Sequence, residues 1–190
     1  MKTSQNILLV GVGGQGTILT SKILSTGLLN AGYDVKMSEI HGMAQRGGSV
    51  STQVRYGEHV HSPIIGRGEA DIVIAFEKME AMRWMEFLSK KGKLIVNDQQ
   101  IESAPILAGK EVYPEGIKEK LEQRAGARII PATKMAIELG NIRVMNVIML
   151  GVLVKEAGLE GIDWQGEIRK MVKPRFTEIN IQAFQLGFTV

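Results

Sequence analysis

Gly11-Val12-Gly13-Gly14-Gln15-Gly16 sits directly behind the apolar run 7–10 (Ile-Leu-Leu-Val), and its reading decides the fold of this 190-residue chain. A short, continuous apolar run is what a parallel strand buried on both faces requires. The residues behind the glycines, 17–30, predict a helix that stops at Ala31-Gly32. Free amides and the dipole at the start of such a helix favour an anion. The G-x-G-x-x-G spacing alone is weak evidence. With 22 glycines in 190 residues, roughly 0.3 matches arise by chance, so the weight comes from its position between strand and helix. The competing reading is a tight turn that needs glycine only for packing.

The next strand, 35–40, tests what the loop would hold. An NAD-type fold asks for an acidic residue at the end of that strand, about 20 residues on, to take the ribose hydroxyls. Glu39 stands there, but "IHGMAQRGGSV" (40–50) then brings a second glycine-rich segment with His41 and Arg46. Arg46-Gly47-Gly48-Ser49 could form another nest of backbone amides. Two such loops after adjacent strands would face one crevice at the carboxyl end of the sheet. That suits a ligand with several phosphates, such as coenzyme A, as well as it suits NAD; it also suits a docking surface.

Further along, 49–56 alternates strictly, with Val50, Thr52, Val54 and Tyr56 on one side. This period of two predicts a half-exposed strand, turning at "YGEH" into a short return strand that ends at Ser62-Pro63. Runs 71–76 and 93–98 resume the buried parallel type, with a helix over 78–89 between them. Pro114 opens a helix to about Arg124, and "ARIIPA" gives the last parallel strand. Helices 133–139 and 143–157 follow, then a helical tail over 163–186 broken at Pro174. The expected fold is a single α/β domain over 1–190: three layers, α/β/α, around a mostly parallel Rossmann-like sheet with an antiparallel hairpin or edge insertion.

Composition excludes several functions. The chain has no cysteine, hence no disulfide, thiolate catalysis or cysteine-held iron–sulfur cluster of its own; this fits a cytoplasmic setting. The N-terminus lacks the features of a signal peptide, and the most apolar stretch, 144–154, is too short to span a bilayer. The net charge is only +3, and no basic stripe is interleaved with aromatics, so neither membrane nor nucleic acid is an expected partner. A Walker-type G-x-x-x-x-G-K-[ST] loop and a G-x-S-x-G elbow are both missing. His59-x-His61 predicts a solvated loop rather than a metal site, and no metal is expected. His41 beside Glu39 fits an acid–base pair or, more simply, a histidine bonded at a strand end. Asn146 fits a locally satisfied amide, and Met79, Met82 and Met85 fit core or interface filling. The helix over 144–154, apolar nearly all round, belongs inside the domain or under a partner subunit.

Four stretches together resemble one family: "GVGGQG" (11–16), "EIHGMAQRGGSV" (39–50), "SPIIGRGEADIVIAFEKMEA" (62–81) and "NIRVMNVIMLG" (141–151). In this order they are similar to the gamma-type domain of 2-oxoacid:ferredoxin oxidoreductases, and most to the small (beta) subunits of its indolepyruvate branch. The resemblance runs from about Asn6 to Gly151; "HGMAQRGGSV" is its most specific part, and the tail after Leu159 carries none of it. It implies oxidative decarboxylation of a 2-oxoacid such as an aryl pyruvate, with thiamine diphosphate as cofactor. Electrons would pass through iron–sulfur clusters to ferredoxin, and the acyl group to coenzyme A. With no cysteine and no GDG…NN-type thiamine diphosphate segment, this chain would be a non-redox subunit. A large (alpha) subunit would then carry thiamine diphosphate and the clusters.

By motif match, the functional face is expected at Gly11, Gly13, Gly14, Gln15, Gly16, Glu39, Gly42, Gln45, Arg46, Gly47 and Gly48. These residues would hold the phosphates of coenzyme A or form the subunit junction beside them; no catalytic acid or base is assigned in this chain. Expressed alone, the chain could form a homodimer through the apolar surface that a partner subunit would otherwise cover. Two other readings stand beside this one: a free-standing NAD(P)-binding oxidoreductase, resting on the first loop and Glu39, and a non-catalytic nucleotide-binding or docking module.

Overall fold

Ile7, Leu8, Leu9 and Val10 are all buried, because the sheet they enter is covered on both faces. The computed structural model describes residues 4–39 and 47–190. Its sheet has six strands: β1 (Ser4–Val12), β2 (Asp34–Glu39), β3 (Ser49–Gly57), β4 (Ala70–Ala75), β5 (Leu88–Asn97) and β6 (Arg128–Ile130). Their order is β2-β3-β1-β4-β5-β6. Pairings β1–β4, β4–β5 and β5–β6 are parallel, whereas β3 runs antiparallel to both neighbours, β1 and β2. The sheet is thus mixed, with its antiparallel part at one edge.

Alternate residues of the strands feed two cores. Ile7, Leu9, Val54, Ile72, Ile74 and Ile95 face one side, packed under α1 (Thr17–Asn30), α5 (Ala132–Glu138), α6 (Met145–Glu156), α7 (Trp164–Met171) and α8 (Thr177–Thr189). Leu8, Val10, Val73, Leu94 and Val96 face the other, under α2 (Lys78–Trp84) and α4 (Ile117–Ala125). Met79, Met82 and Met85 pack half-buried against this second core. The expected three-layer α/β architecture is the one observed.

Details differ from the sequence reading for local reasons. No return strand follows β3: residues 58–69 contain no strand. Side chains of β3 expected to face water hold this segment instead. Arg55 donates to the Ser62 and Ile64 carbonyls (3.1 and 3.0 Å), and the Ile65 amide donates to Gln53 Oε1 (2.6 Å). The polar period of two therefore marks a surface covered by a crossing chain. Pro114 precedes α4 rather than opening it, because Gly116, at φ 68°, forms the left-handed entry to the helix. β5 starts five residues before the expected Lys93, its pairing with β4 shifting register after Ala70–Leu88. A short helix, α3 (Ala104–Leu107), was not anticipated.

Every residue of the stretch 144–154 is buried. The chain covers this helix itself, so the alternative of cover by a partner is not needed. α6 and α8 cross closely: a Cβ at Gly187 would overlap the Ile148 carbonyl, and one at Gly151 would lie 2.8 Å from the Phe188 amide.

Candidate functional site

β1, β2, β4, β5 and β6 all end at one edge of the sheet, where β3 begins. The glycine loop lies at the centre of this edge. Gly14 and Gly16 have φ of 101° and 83°, a left-handed conformation that side chains resist. Space constrains Gly16 as well, since a Cβ there would stand 2.5 Å from Asn146 Nδ2. Gly11 is tight too, a Cβ there approaching Gln15 Oε1 at 2.9 Å.

Gln15 fastens the loop to the sheet. Its Oε1 accepts from the Val12 amide (2.7 Å), while Nε2 donates to the Phe76 carbonyl (2.8 Å) and to Gln99 Oε1 (3.0 Å). Asn97 and Thr133 extend the network: Asn97 Nδ2 donates to Thr133 Oγ1 (2.8 Å), and the Thr133 amide donates to Asn97 Oδ1 (3.1 Å). Ends of four parallel strands are thereby joined by side-chain amides, a set the sequence reading missed apart from Gln15. Asn97 stands directly at the end of an apolar strand, and that was its signal.

The loop's amides divide in two. Those of Gly13 and Gln15 donate inside the protein, to the carbonyls of Gly48 (2.8 Å) and Val12 (3.1 Å). Those of Gly14 and Gly16 make no backbone hydrogen bond among the described residues, and the first turn of α1 adds further free donors. The Gly16 carbonyl accepts from Asn146 Nδ2 (3.1 Å), so Asn146 supports the loop from beneath. Its Oδ1, in a side chain only 3% exposed, has no partner among the described residues. A cleft of about 690 Å³ opens here, lined by Gly13, Gly14, Gly16, Gly47, Gln99 and Asn146, with Arg143 as its charged member. Arg143 was not anticipated as a site residue.

Of the second glycine segment, Gly47 and Gly48 meet the first loop through the Gly13–Gly48 bond. His41, Gly42, Gln45 and Arg46 lie outside the described residues. Glu39, at the end of β2, accepts from Ser21 Oγ of α1 (3.0 Å). β1 and β2 are not adjacent as expected, because β3 lies between them. In a dinucleotide fold the acidic residue sits at the end of the strand next to β1, so the NAD reading loses its second feature. The two loops reach one crevice because β3 starts beside the end of β1.

A second unanticipated group adjoins the loops. Glu77 and Glu80 are 1% and 2% exposed. Glu77 caps α2 by accepting from the Glu80 amide (3.0 Å) and also accepts from Tyr113 Oη (2.6 Å). Glu80 accepts from Ser49 Oγ and from Arg83 Nη1 (2.8 Å). Burial raises the Glu80 carboxyl above its ordinary range, opposed by Ser49 and Arg83 and reinforced by Glu77. Burial and the bond to Glu77 likewise hold the Tyr113 phenol well above its usual value. Glu77 stands at the N-cap of α2, where Ser, Thr, Asp or Asn is usual, so no ordinary capping pattern marked the pair. His59 and His61 are exposed in 58–69.

Comparison with known proteins completes the picture. The model of the pyruvate ferredoxin/flavodoxin oxidoreductase family matches residues 6–190. The chain belongs to that family. The match to this oxidoreductase family extends through α7 and α8, beyond the point where the motif resemblance stops. Indolepyruvate oxidoreductase subunit IorB of Methanothermobacter thermautotrophicus is 42% identical over 188 residues, 96% of this chain and 95% of that protein. The gamma subunit of a keto/oxoacid ferredoxin oxidoreductase from Geobacter sulfurreducens shares the fold with a TM-score of 0.74 at 21% identity, covering 98% of this chain and 95% of its own. A 2-oxoglutarate:ferredoxin oxidoreductase from Magnetococcus marinus, solved with 2-oxoglutarate, coenzyme A and succinyl-CoA bound, shares it with a TM-score of 0.70 at 19% identity. It covers all of this chain, which spans 31% of that longer one. The relatives of this oxidoreductase subunit are themselves subunits of larger enzymes, as the four motif stretches imply. No helix among the described residues is long and apolar enough to cross a membrane.

Proposed function

We propose that residues 1–190 form one gamma-type domain, the small subunit of a cytoplasmic oxidoreductase that converts indolepyruvate or another aryl 2-oxoacid to its acyl-CoA, with ferredoxin as electron acceptor. The near-full-length identity to the IorB subunit carries this reading. A cysteine-free sequence offers no ligand for an iron–sulfur cluster, and the chain has no GDG…NN-type thiamine diphosphate segment, so in this reading both belong to a large alpha subunit. Bound there, thiamine diphosphate would supply the electron sink that decarboxylation of a 2-oxoacid needs. This chain supplies binding and orientation.

The glycine-loop cleft fits coenzyme A. Free amides at Gly14, Gly16 and the start of α1, together with Arg143, suit phosphate oxygens. Asn146 Oδ1 is a buried acceptor without a donor among the described residues, and the pantetheine arm carries amide N–H groups. Within this reading Gly11 and Gln15 shape the loop; Gly13, Gly47 and Gly48 hold the two loops together. Glu39, Gly42, Gln45 and Arg46 complete the face, with Arg46 a second phosphate cation or a contact at the subunit junction.

Gentle affinity purification of this chain from its native cells under nitrogen tests the reading. The expected result is a stoichiometric, brown, thiamine-containing large subunit. The chain emerging alone and colourless, under conditions that preserve other such complexes, would overturn it. Within the complex, Arg46→Ala is expected to raise the KM for coenzyme A or to weaken assembly; if neither changes, Arg46 has no place at the site.

A further inference from the structure

A second cleft, of about 520 Å³, adjoins the glycine-loop cleft and shares Leu19 and Arg143 with it. Its apolar lining includes Leu19, Val144, Met171 and Phe176, and its charged members are Arg143, Lys173 and Arg175. No carboxylate lines it: Glu178, in the first turn of α8, lies outside the groove. None of the three cations forms a salt bridge with a described residue. Together they equal the whole +3 net charge of the chain, so the remaining ionisable side chains sum to neutrality.

This arrangement is not one that folding alone would favour. Lys173 and Arg175 stand just before the N-terminus of α8, where the helix dipole repels positive charge. Phe176 is 38% exposed, and the Arg175 guanidinium lies 4.7 Å from its ring centroid. Ile142, 53% exposed, extends the apolar surface toward the glycine loop. Exposed aromatic and arginine side chains beside an apolar floor are the residue types that dominate protein interfaces.

We propose that this groove seats an acidic segment of the large subunit, an apolar or aromatic side chain flanked by carboxylates, and that this segment completes one wall of the glycine-loop cleft. The inference rests on the reading of the chain as a small subunit. A protein segment fits better than a small anion because the amides of Val172 and Phe176 already donate within the chain, to the Ile168 and Lys173 carbonyls (3.1 and 2.8 Å). The groove therefore presents side-chain charge over an apolar floor, without the amide cradle a phosphate would need.

The test uses the co-expressed two-subunit complex and measures its dissociation constant against salt. The double variant Lys173→Glu/Arg175→Glu is expected to weaken assembly about tenfold or more and to flatten its salt dependence. Phe176→Ala should weaken it without changing the salt slope. Reversal of the exposed pair Lys90→Glu/Lys91→Glu should leave assembly unchanged. A photo-crosslinker at position 176 of the otherwise wild-type chain should capture a large-subunit peptide rich in Asp and Glu. That readout does not depend on any charge variant folding. Unchanged affinity of the double variant, or crosslinks to a peptide without acidic residues, would overturn the proposal while leaving the small-subunit reading intact. Unchanged assembly with a raised KM for coenzyme A would also overturn it, assigning the groove to the nucleotide instead. Failure of the wild-type chain to bind any large subunit would remove both readings.

Discussion

On the face of the sheet covered by α1 and α5–α8, closure is almost wholly a matter of shape. α6 is buried from Met145 to Val154, and α8 approaches it so closely that glycine is required at 151 and 187. On the face covered by α2 and α4, two carboxylates, Glu77 and Glu80, are buried with a tyrosine, a serine and an arginine around them. One face depends mainly on volume, although it also carries Glu156 and Glu167, ion-paired with Lys93 and Lys170; the other depends on hydrogen bonds to carboxylates buried within it. The glycine loop sits where the two meet, with Asn146 of α6 beneath it and Ser49, bonded to Glu80, beginning β3 beside it.

The contrast can be broken from either side. Gly187→Leu should have the largest effect: the new side chain must displace the α6 backbone, for a loss of about 3 kcal/mol or more. Thermal melts at pH 5 and pH 8 should register the same loss. Glu77→Ala comes next, at about 2–3 kcal/mol, because it removes the cap of α2 and leaves Tyr113 Oη and the Ile101 amide without their acceptor. Urea titration would show it, and a variant as stable as wild type would deny the second face its polar character.

Glu80→Gln separates charge from hydrogen bonding. The folded-state pKa of Glu80 is raised, so the unfolded chain releases this proton first as pH climbs above the ordinary 4.5. Its contribution to stability is full below that value and is lost as pH rises through the folded value. The variant should lack this decline and gain stability at pH 8 relative to wild type. Glu156 works the other way: Lys93, with Arg128, holds its carboxyl below 4.5. Its contribution persists above that value and fades as pH falls through the lowered one, leaving an acid limb that Glu80→Gln does not touch. The smallest change is expected for Asp98→Asn, whose partners Lys78 and Lys118 lie near the surface; a shift within about 0.5 kcal/mol would be ordinary for such pairs.

Much of this was legible in the sequence, and the limits have physical causes. Apolar runs and glycine punctuation located five of six strands closely and the ends of α1 to the residue, since burial on both faces leaves a continuous pattern. The sixth, β5, hides its first half in "LSKKG", a polar stretch that pairs only through one register shift. Strand order was not legible. Nothing local in β3 says that it slots between β1 and β2, because its polar face carries the same alternation whether water or residues 58–69 cover it. At the site, the glycines announced themselves through backbone conformation. Gln99 and Arg143 did not, because their meaning arises only when separate segments converge; Asn97, polar at the end of an apolar strand, was legible but unread, and Glu77 at the cap of α2 matched no ordinary capping pattern.

The placement of β3 also bears on how the chain reaches this structure. The crossover from β1 through α1 to β2 leaves a slot one strand wide, so the two strands lie about 10 Å apart and cannot hold each other. β1 gains its first sheet partner only when residues 49–57 arrive, and its second with 70–75. During N-to-C synthesis the run Ile-Leu-Leu-Val at 7–10 therefore waits, unpaired, for more than forty residues. Such a strand is slow to settle and open to wrong partners in the interval. The segment that becomes the most enclosed part of the protein is, early in its life, the part most in need of shelter.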